Sequence, residues 1–371
     1  MAKTASNSNW RPQVWAKTLF ADVMDSLYFV VNGMMGESEN NIIQVQSDLE
    51  KEKGDRVNFR LRYKLAGRGT RGDSELEGNE ERGVDYTTSV LIDQIRHAER
   101  LEGTLDEQKN GAEMRGEAKD MLKIWLKEFI EHQIFLKMGG VTNPTITDVN
   151  GVVVSADYDW SNTPDFIPDA DEAAGLGNRY LCANSGGTDV LAATDKLTPD
   201  LIDRCKAKAQ TANPKIQPLM IDGKPYWMMF VHPWQYYDLR RNAEWAQAMR
   251  EAERRGPENP IFSGAEGIWN GVIVHCHEYV PYLNVVAAGN SFRGAATGTD
   301  CAVNAFRALF CGKQAIGFAK AKNLKKEWVE KNFDYDNQFG VATSLLGGIK
   351  KLLFNSLEFG VIAVDTAATA H

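Results

Sequence analysis

The run Gly67-Arg68-Gly69-Thr70-Arg71-Gly72 matches G-x-G-x-x-G, the spacing that lets a backbone close around a pyrophosphate where a strand meets a helix. The next residues, Asp73-Ser74-Glu75-Leu76-Glu77-Gly78, open no helix, and their carboxylates would repel a phosphate, so the nucleotide reading fails on context. His275 and His277 alternate on a predicted strand beside Glu278, which puts two imidazoles on one side and could begin a zinc site. Zinc takes three or four ligands and no other histidine lies near in sequence, so a pair of partly buried or interface histidines is the better reading. His232, before Pro233, reads as a strand-end residue and not a general base. The carboxylates of Asp157, Asp159, Asp165, Asp169, Asp171 and Glu172 lack the glycine-centred spacing of a calcium loop and read as a solvated loop. There is no G-x-S-x-G, Walker A, H-E-x-x-H or Cys–His pattern. The expectation is a protein that is not an enzyme and uses neither cofactor nor metal.

The elements that carry these residues can be read from hydrophobic period. Val14, Trp15, Leu19, Val23 and Leu27 recur at near-helical spacing up to Asn32-Gly33, an N-terminal arm with one amphipathic helix. From Arg56 to Leu65 apolar and polar residues alternate without error, so one strand face holds Val57, Phe59, Leu61, Tyr63 and Leu65. A second strand over Tyr86–Ile95 places Tyr86, Thr88, Val90 and Ile92 together. Between them lies a glycine-rich, charged tip longer than the ~12–15 residues that idle loops reach. The resulting ribbon is too apolar on one face to stand alone in water, and cover from another molecule is expected.

Thr104 and Glu107 form a capping box ahead of the longest helix, whose apolar face is Ala118, Met121, Leu122, Trp125 and Phe129 and which Gly139-Gly140 stops after Met138. Residues 141–195 are loop-rich with short strands such as Val152–Val154. A helix over Pro199–Ala209, a buried strand over Pro225–Val231, a helix over Trp234–Arg255 and a strand over Gly271–Val280 follow. Phe306–Ala319 is a strand-like apolar run, and Trp328–Phe333, Val341–Phe354 and Phe359–Val364 are strands.

At 371 residues two or three packing units are expected, and 43% apolar with 25% charged residues excludes a disordered chain. The net charge of −8 argues against coating DNA by bulk charge. The apolar runs are far below the ~20 residues of a spanning helix, so no membrane partner is expected. The N-terminal MAKTASNSNW lacks an apolar leader region. Cys182, Cys205, Cys276, Cys301 and Cys311 are scattered and odd in number, which fits a reducing cytoplasm better than a disulfide scaffold.

Several blocks in order along the chain are more specific. Gly54-Asp55-Arg56-Val57-Asn58-Phe59, Gly72-Asp73 with Leu76-Glu77-Gly78-Asn79-Glu80-Glu81, and Ile92-Asp93-Gln94-Ile95-Arg96-His97 resemble the major capsid proteins typified by coliphage N-four. So do Phe230-Val231-His232-Pro233, Asn259-Pro260-Ile261-Phe262-Ser263-Gly264-Ala265, Asp334-Tyr335-Asp336-Asn337, and Gly348-Ile349-Lys350-Lys351 with Phe354-Asn355. The resemblance implies an α+β Hong-Kong-97-type capsid fold. Its parts would be an N-terminal arm (1–41), an extended-loop hairpin (42–102), a peripheral domain with spine helix and insertion (103–218), an axial domain (219–325) and C-terminal strands of the peripheral domain (326–371).

It also implies a structural protein that assembles into the icosahedral shell of a tailed bacteriophage around double-stranded DNA, in the virion, after assembly in the host cytoplasm. Its partners would be copies of itself in hexameric and pentameric capsomers, with a portal, a separate scaffolding protein and decoration proteins, and DNA in non-specific proximity. Inter-subunit contact is assigned to the extended loop at Arg68, Arg71, Asp73, Glu75, Leu76, Glu77, Glu80 and Glu81. On this reading a sister copy covers the apolar ribbon, and the acidic balance keeps packaged DNA mobile. A nanocompartment shell protein and a metal-dependent hydrolase built on His275 and His277 are the alternatives.

Overall fold

The computed structural model describes residues 23–24, 26–46, 54–62, 65, 67, 69–102, 114–141, 179–184, 191–212, 214–251, 265–283, 303–320, 328–335, 337–354 and 357–368. The first half of the chain forms α1 (Tyr28–Val31), β1 (Met35–Gly36), β2 (Ile43–Gln46), β3 (Arg56–Arg62), β4 (Asp85–Leu91), β5 (Asp93–Arg100), α2 (Met114–Gly139), β6 (Tyr180–Cys182) and α3 (Pro199–Thr211). Then come β7 (Leu219–Ile221), β8 (Lys224–Val231), α4 (Pro233–Arg241), α5 (Ala243–Glu251), β9 (Gly267–Trp269), β10 (Val272–Cys276) and β11 (Tyr282–Leu283). The last part is β12 (Ala305–Cys311), β13 (Ile316–Lys320), β14 (Trp328–Phe333), β15 (Gln338–Lys351), β16 (Leu353–Phe354), β17 (Leu357–Glu358) and β18 (Val361–Ala367).

Two sheets share the long helix. The smaller runs β1-β2-β13-β15-β14, with β5 on the opposite edge of β15, where Thr343 pairs with both Trp328 and His97. The larger runs β6-β18-β12-β8-β10-β9, with β7 added to β8 and β11 to β12. Its central strand β8 is apolar on successive residues, Trp227-Met228-Met229-Phe230-Val231, because both of its faces are buried. Met228 and Phe230 turn toward α2 with Ile273 and Leu309. Trp227, Met229 and Val231 turn the other way, onto Leu201, Ile202 and Cys205 of α3 and Leu239 and Trp245 of α4 and α5. The predicted segments 141–195 and 326–371 therefore contribute differently along their lengths. Tyr180–Cys182 and Val361–Ala367 lie in the larger sheet, while β14 and β15 lie in the smaller one.

α2 is 26 residues, about 39 Å long at 1.5 Å per residue. Its first half buries one stripe (Ala118, Leu122, Leu126), and beyond Phe129 it is enclosed on nearly every side. Met121, expected on the apolar face, instead lies on the solvent side and is 57% exposed. Gly140 ends the helix at φ +62°, its N–H meeting the Lys137 carbonyl while the Val141 N–H reaches Leu136 at 3.1 Å, the paired bonds of a Schellman cap. The predicted cap at Thr104 and Glu107 lies outside the described residues, as do the first part of the arm helix, the acidic set 157–172 and Val152–Val154.

Four predicted elements are interrupted, one of them Val341–Phe354, which breaks at Leu352 between β15 and β16. The strand over Tyr86–Ile95 ends at Leu91, and β5 leaves its partner to pair with β15. The helix over Trp234–Arg255 breaks at Asn242, whose extended backbone ends α4 and whose Oδ1 accepts the Glu244 N–H at 3.0 Å, starting α5. Phe306–Ala319 divides at Gly312 into strands of different sheets, where an added Cβ would sit 2.4 Å from the Gln217 carbonyl oxygen. The strand after Gly271 stops at Cys276.

One buried ion pair joins these parts. Arg307 on β12 meets Asp365 on β18 through two bonds of 2.8 Å, with both side chains 1% exposed or less. Arg307 also donates to the carbonyl of Gly139 at 3.1 Å, and the Tyr180 hydroxyl donates to Asp365 at 3.1 Å. Sheet and helix end are thus held by one guanidinium in a fork that only arginine supplies. Replacing Asp365 with Ala strands a buried cation and is expected to lower unfolding free energy by about 3–5 kcal/mol. Arg307→Met with Asp365→Leu should recover much of that, as read from urea midpoints of the unassembled chain.

Candidate inter-subunit surface

β3 and β4 pair antiparallel over their full lengths, with Val57 opposite Val90, Phe59 opposite Thr88 and Leu61 opposite Tyr86. The predicted apolar face is real, since Val57, Phe59 and Val90 are buried and Leu61 half-buried. The expected cover is not. The face lies on the chain's own body, against Ala319, Leu352, Phe354 and Phe359, so no sister copy is needed to bury it. Leu65, assigned to the same face, is 64% exposed beyond the end of the strand.

Glycines make this seat possible. A Cβ on Gly348 of β15 would lie 2.1 Å from the Leu91 carbonyl oxygen, and one on Gly317 of β13 would lie 2.9 Å from the Phe59 ring. The hairpin therefore rests on bare backbone. Thr88 Oγ1 donates to the Leu353 carbonyl, and the Ile92 N–H closes onto Asp55 at 2.9 Å. Beneath the seat Lys351 pairs with Glu358 at 3.1 Å, both buried, and burial pulls the amine below its ordinary range while Glu358 offsets part of the shift. Sequence reading missed Gly317 and gave Gly348 no part in seating the hairpin; the visible signal was glycine inside otherwise apolar strands.

The tip is exposed throughout residues 71–85. Of the assigned contact residues, Arg68 lies outside the described residues, whereas Arg71, Asp73, Glu75, Leu76, Glu77, Glu80 and Glu81 are all exposed. Two carboxylates already serve the loop itself. Glu81 accepts the Gly67 N–H at 2.6 Å and Glu80 the Gly78 N–H at 2.8 Å. Gly69, Gly72 and Gly78 adopt φ between +62° and +87°, the left-handed turns that shape the tip. Asp73, Glu75 and Glu77 are left pointing outward around Leu76, which is 60% exposed.

The two histidines singled out by spacing meet the arm. Tyr28 bridges to His275 Nδ1 at 2.9 Å, and its ring lies edge-on to His277 at 4.6 Å. His277 stacks on Phe135 of α2, and its Nδ1 accepts the Tyr279 N–H at 3.1 Å. Tyr28 N–H also donates to Glu131 of α2 at 2.7 Å. These imidazoles pin the arm to helix and sheet. Burial raises the Glu131 carboxyl, and the Tyr28 N–H opposes the shift. Burial lowers His277 and His132, which stacks on Tyr279, each to about 4. His232, read as a strand end, caps α4. Its Nδ1 accepts from Trp234 and its own N–H is taken by Gln235, and burial lowers it to about 4. Cys182, Cys205 and Cys311 are buried thiols pushed up to about 12 by burial.

A long helix shared by two sheets, an arm and a projecting glycine-tipped hairpin define the class: a Hong-Kong-97-type shell subunit. Structural likeness agrees. The capsid of Ralstonia phage GP4 aligns over 100% of this chain and 96% of its own, with a TM-score of 0.77 and 28% identity. The cyanophage Pam1 capsid aligns over all of both chains with a TM-score of 0.69 at 21% identity, a likeness of fold. The family model described as phage capsid protein matches residues 3–370, and the chain belongs to that family. The major capsid protein of Pseudomonas phage KPP25 is 30% identical over 379 residues, 97% of this chain and 96% of the relative. The protein is a major capsid protein that forms the phage head shell in the virion, associating with its own copies into capsomers, and it is not an enzyme.

Two outcomes follow from this geometry. Gly348→Ala should unseat the hairpin, costing about 1–3 kcal/mol as overpacking against a carbonyl that cannot move aside; limited proteolysis within residues 63–84 and the urea midpoint report it. As pH falls from 6.5 to about 4, His132, His232 and His277 stay neutral in the native chain but protonate once unfolded. The unfolded state binds more protons in that window, so stability should drop as pH falls and level off below 4. Glu131 works in the opposite sense, one carboxyl against three imidazoles. His277→Phe should flatten the slope of urea midpoint against pH.

Proposed function

We propose that this chain builds an icosahedral shell of hexamers and pentamers around the double-stranded DNA of a tailed phage, within the N-four-like branch of the capsid proteins. The ordered sequence blocks support the branch assignment. In this reading the smaller sheet with α2 is the peripheral domain and the larger sheet with α3, α4 and α5 the axial domain. Because Tyr180–Cys182 and Pro199–Thr211 pack with the larger sheet, the axial unit starts earlier than Leu219 and regains Val361–Ala367 at its end. Portal, scaffolding and decoration proteins complete the head as separate chains.

The observation that carries the reading is the division of labour in the hairpin. Its base is clamped to the subunit's own body, while its tip, Arg71 to Glu81, is presented to solvent, with Glu80 and Glu81 bonding to the loop's own backbone. A segment so charged and so far from any core adds little to the monomer. It fits an inter-subunit contact, where rim charges fix register more than affinity. Deleting Gly67 to Gly83 should leave the urea midpoint nearly unchanged, because the buried face of the base is retained, yet abolish shells in electron micrographs of cells expressing the head proteins. Normal particles from that deletion would sink the reading.

A further inference from the structure

Beside the hairpin base runs a groove of about 610 Å³. One wall is the base itself, Arg60, Leu61 and Arg62; the other is the end of α3 and the segment after it, with Pro214 and Lys215, and Lys313 and Phe359 close it. Its charge is lopsided, since four cations line it against the single carboxylate of Glu39. Arg60 is already engaged by Asp85 at 2.5 Å within the hairpin. Arg62, Lys215 and Lys313 have no ion pair among the described residues, and Leu61, Pro214 and Phe359 supply the apolar part of the lining. Unneutralised cations beside an apolar lining suit a short acidic segment with one greasy side chain at its centre.

The tip of the same hairpin has that composition. With Glu80 and Glu81 spent on closing the loop, the outward set is Asp73, Glu75, Leu76 and Glu77. We propose that Glu75-Leu76-Glu77 of a second copy docks in this groove, Leu76 on the apolar lining of Leu61, Pro214 and Phe359 and the two carboxylates on Lys215, Lys313 and Arg62. The proposal rests on the tip being an inter-subunit contact and names the surface that receives it. Groove and tip are different patches on one chain, so the contact is heterologous and passes head to tail. Such contacts close into rings when the rotation between copies allows. Each copy would give a tip and receive one, and an occupied groove would brace the base of the hairpin that the recipient extends in turn. Burial of Leu76 supplies the apolar gain, while the flanking charges reject a tip docked out of register.

Charge exchange in the full chain, expressed with its head proteins, tests this. Lys215→Glu with Lys313→Glu, and separately Glu75→Lys with Glu77→Lys, should each cut the yield of sedimenting shells by about tenfold or more, since like charges then face each other. Combining all four should restore the yield to within about twofold of the starting protein. Leu76→Asp should fail without rescue by either set. Glu75, Leu76, Glu77 and Lys215 are exposed and Lys313 is half-buried, so unchanged urea midpoints will separate assembly loss from misfolding. Shell yields unaffected by the groove reversal, or a combination no better than its parts, overturn the groove assignment; so do normal shells that merely hold less DNA, which would make the groove a phosphate site. If the groove fails while deletion of Gly67 to Gly83 still abolishes shells, the tip contact stands with another receiver. If that deletion is harmless too, the contact reading falls with it.

Discussion

The projecting hairpin depends on one close approach, that of Phe59 and the Leu91 carbonyl to the backbone of β13 and β15 where Gly317 and Gly348 carry no side chain. A two-stranded ribbon is marginal in water. Here its apolar face is buried within the chain that makes it, so the ribbon is formed before any neighbour arrives. Ordering the base costs nothing further at assembly, and only the tip's own freedom remains to be lost. A shell made of many modest contacts benefits from such preformed parts, because each interface can stay small and still favour one geometry.

Rigidity below the hairpin comes from a second set of contacts. The Arg307–Asp365 pair, with the Gly139 carbonyl and Tyr180 hydroxyl, ties the end of α2 to the middle of the larger sheet. Tyr28 does the same for the arm, through Glu131 and His275. A buried pair of this kind is weak evidence of stability in itself, because desolvation offsets most of its attraction. Its use is directional. A guanidinium with three fixed acceptors permits one angle between helix and sheet, and a subunit that must tile a closed surface needs that angle held.

Much of the local structure was legible in the residues. Alternation over Arg56–Arg62, the helical stripe of Leu122 and Phe129, and the stop at Gly140 each follow from a period or a dihedral preference that the chain carries with it. The breaks at Ile92 and Gly312 were not legible, for a shared reason. Apolar residues on both sides of each break look continuous in sequence, and the interruption is imposed by neighbours distant along the chain. β5 turns away because β15 offers it an edge, and Gly312 marks a strand crossing between sheets under the Gln217 carbonyl. His275 and His277 show the same limit. Their spacing correctly put both on one side, but that they serve an aromatic junction with Tyr28 depends on an arm residue 247 positions away from His275 in sequence.

By itself the sequence determined the periods, the turns and a charged tip too long to be idle, since these depend only on each residue's neighbours and its backbone preferences. Its ordered blocks also pointed to the capsid fold. What covers the apolar face of the ribbon was decided only in three dimensions. Amphipathicity states that a face must be buried and is silent on what buries it. The answer lies in Gly317, Gly348 and Phe359, residues contributed from the far end of the chain, and it changed the role of the hairpin from a strand awaiting cover to a fixed base that holds out its tip.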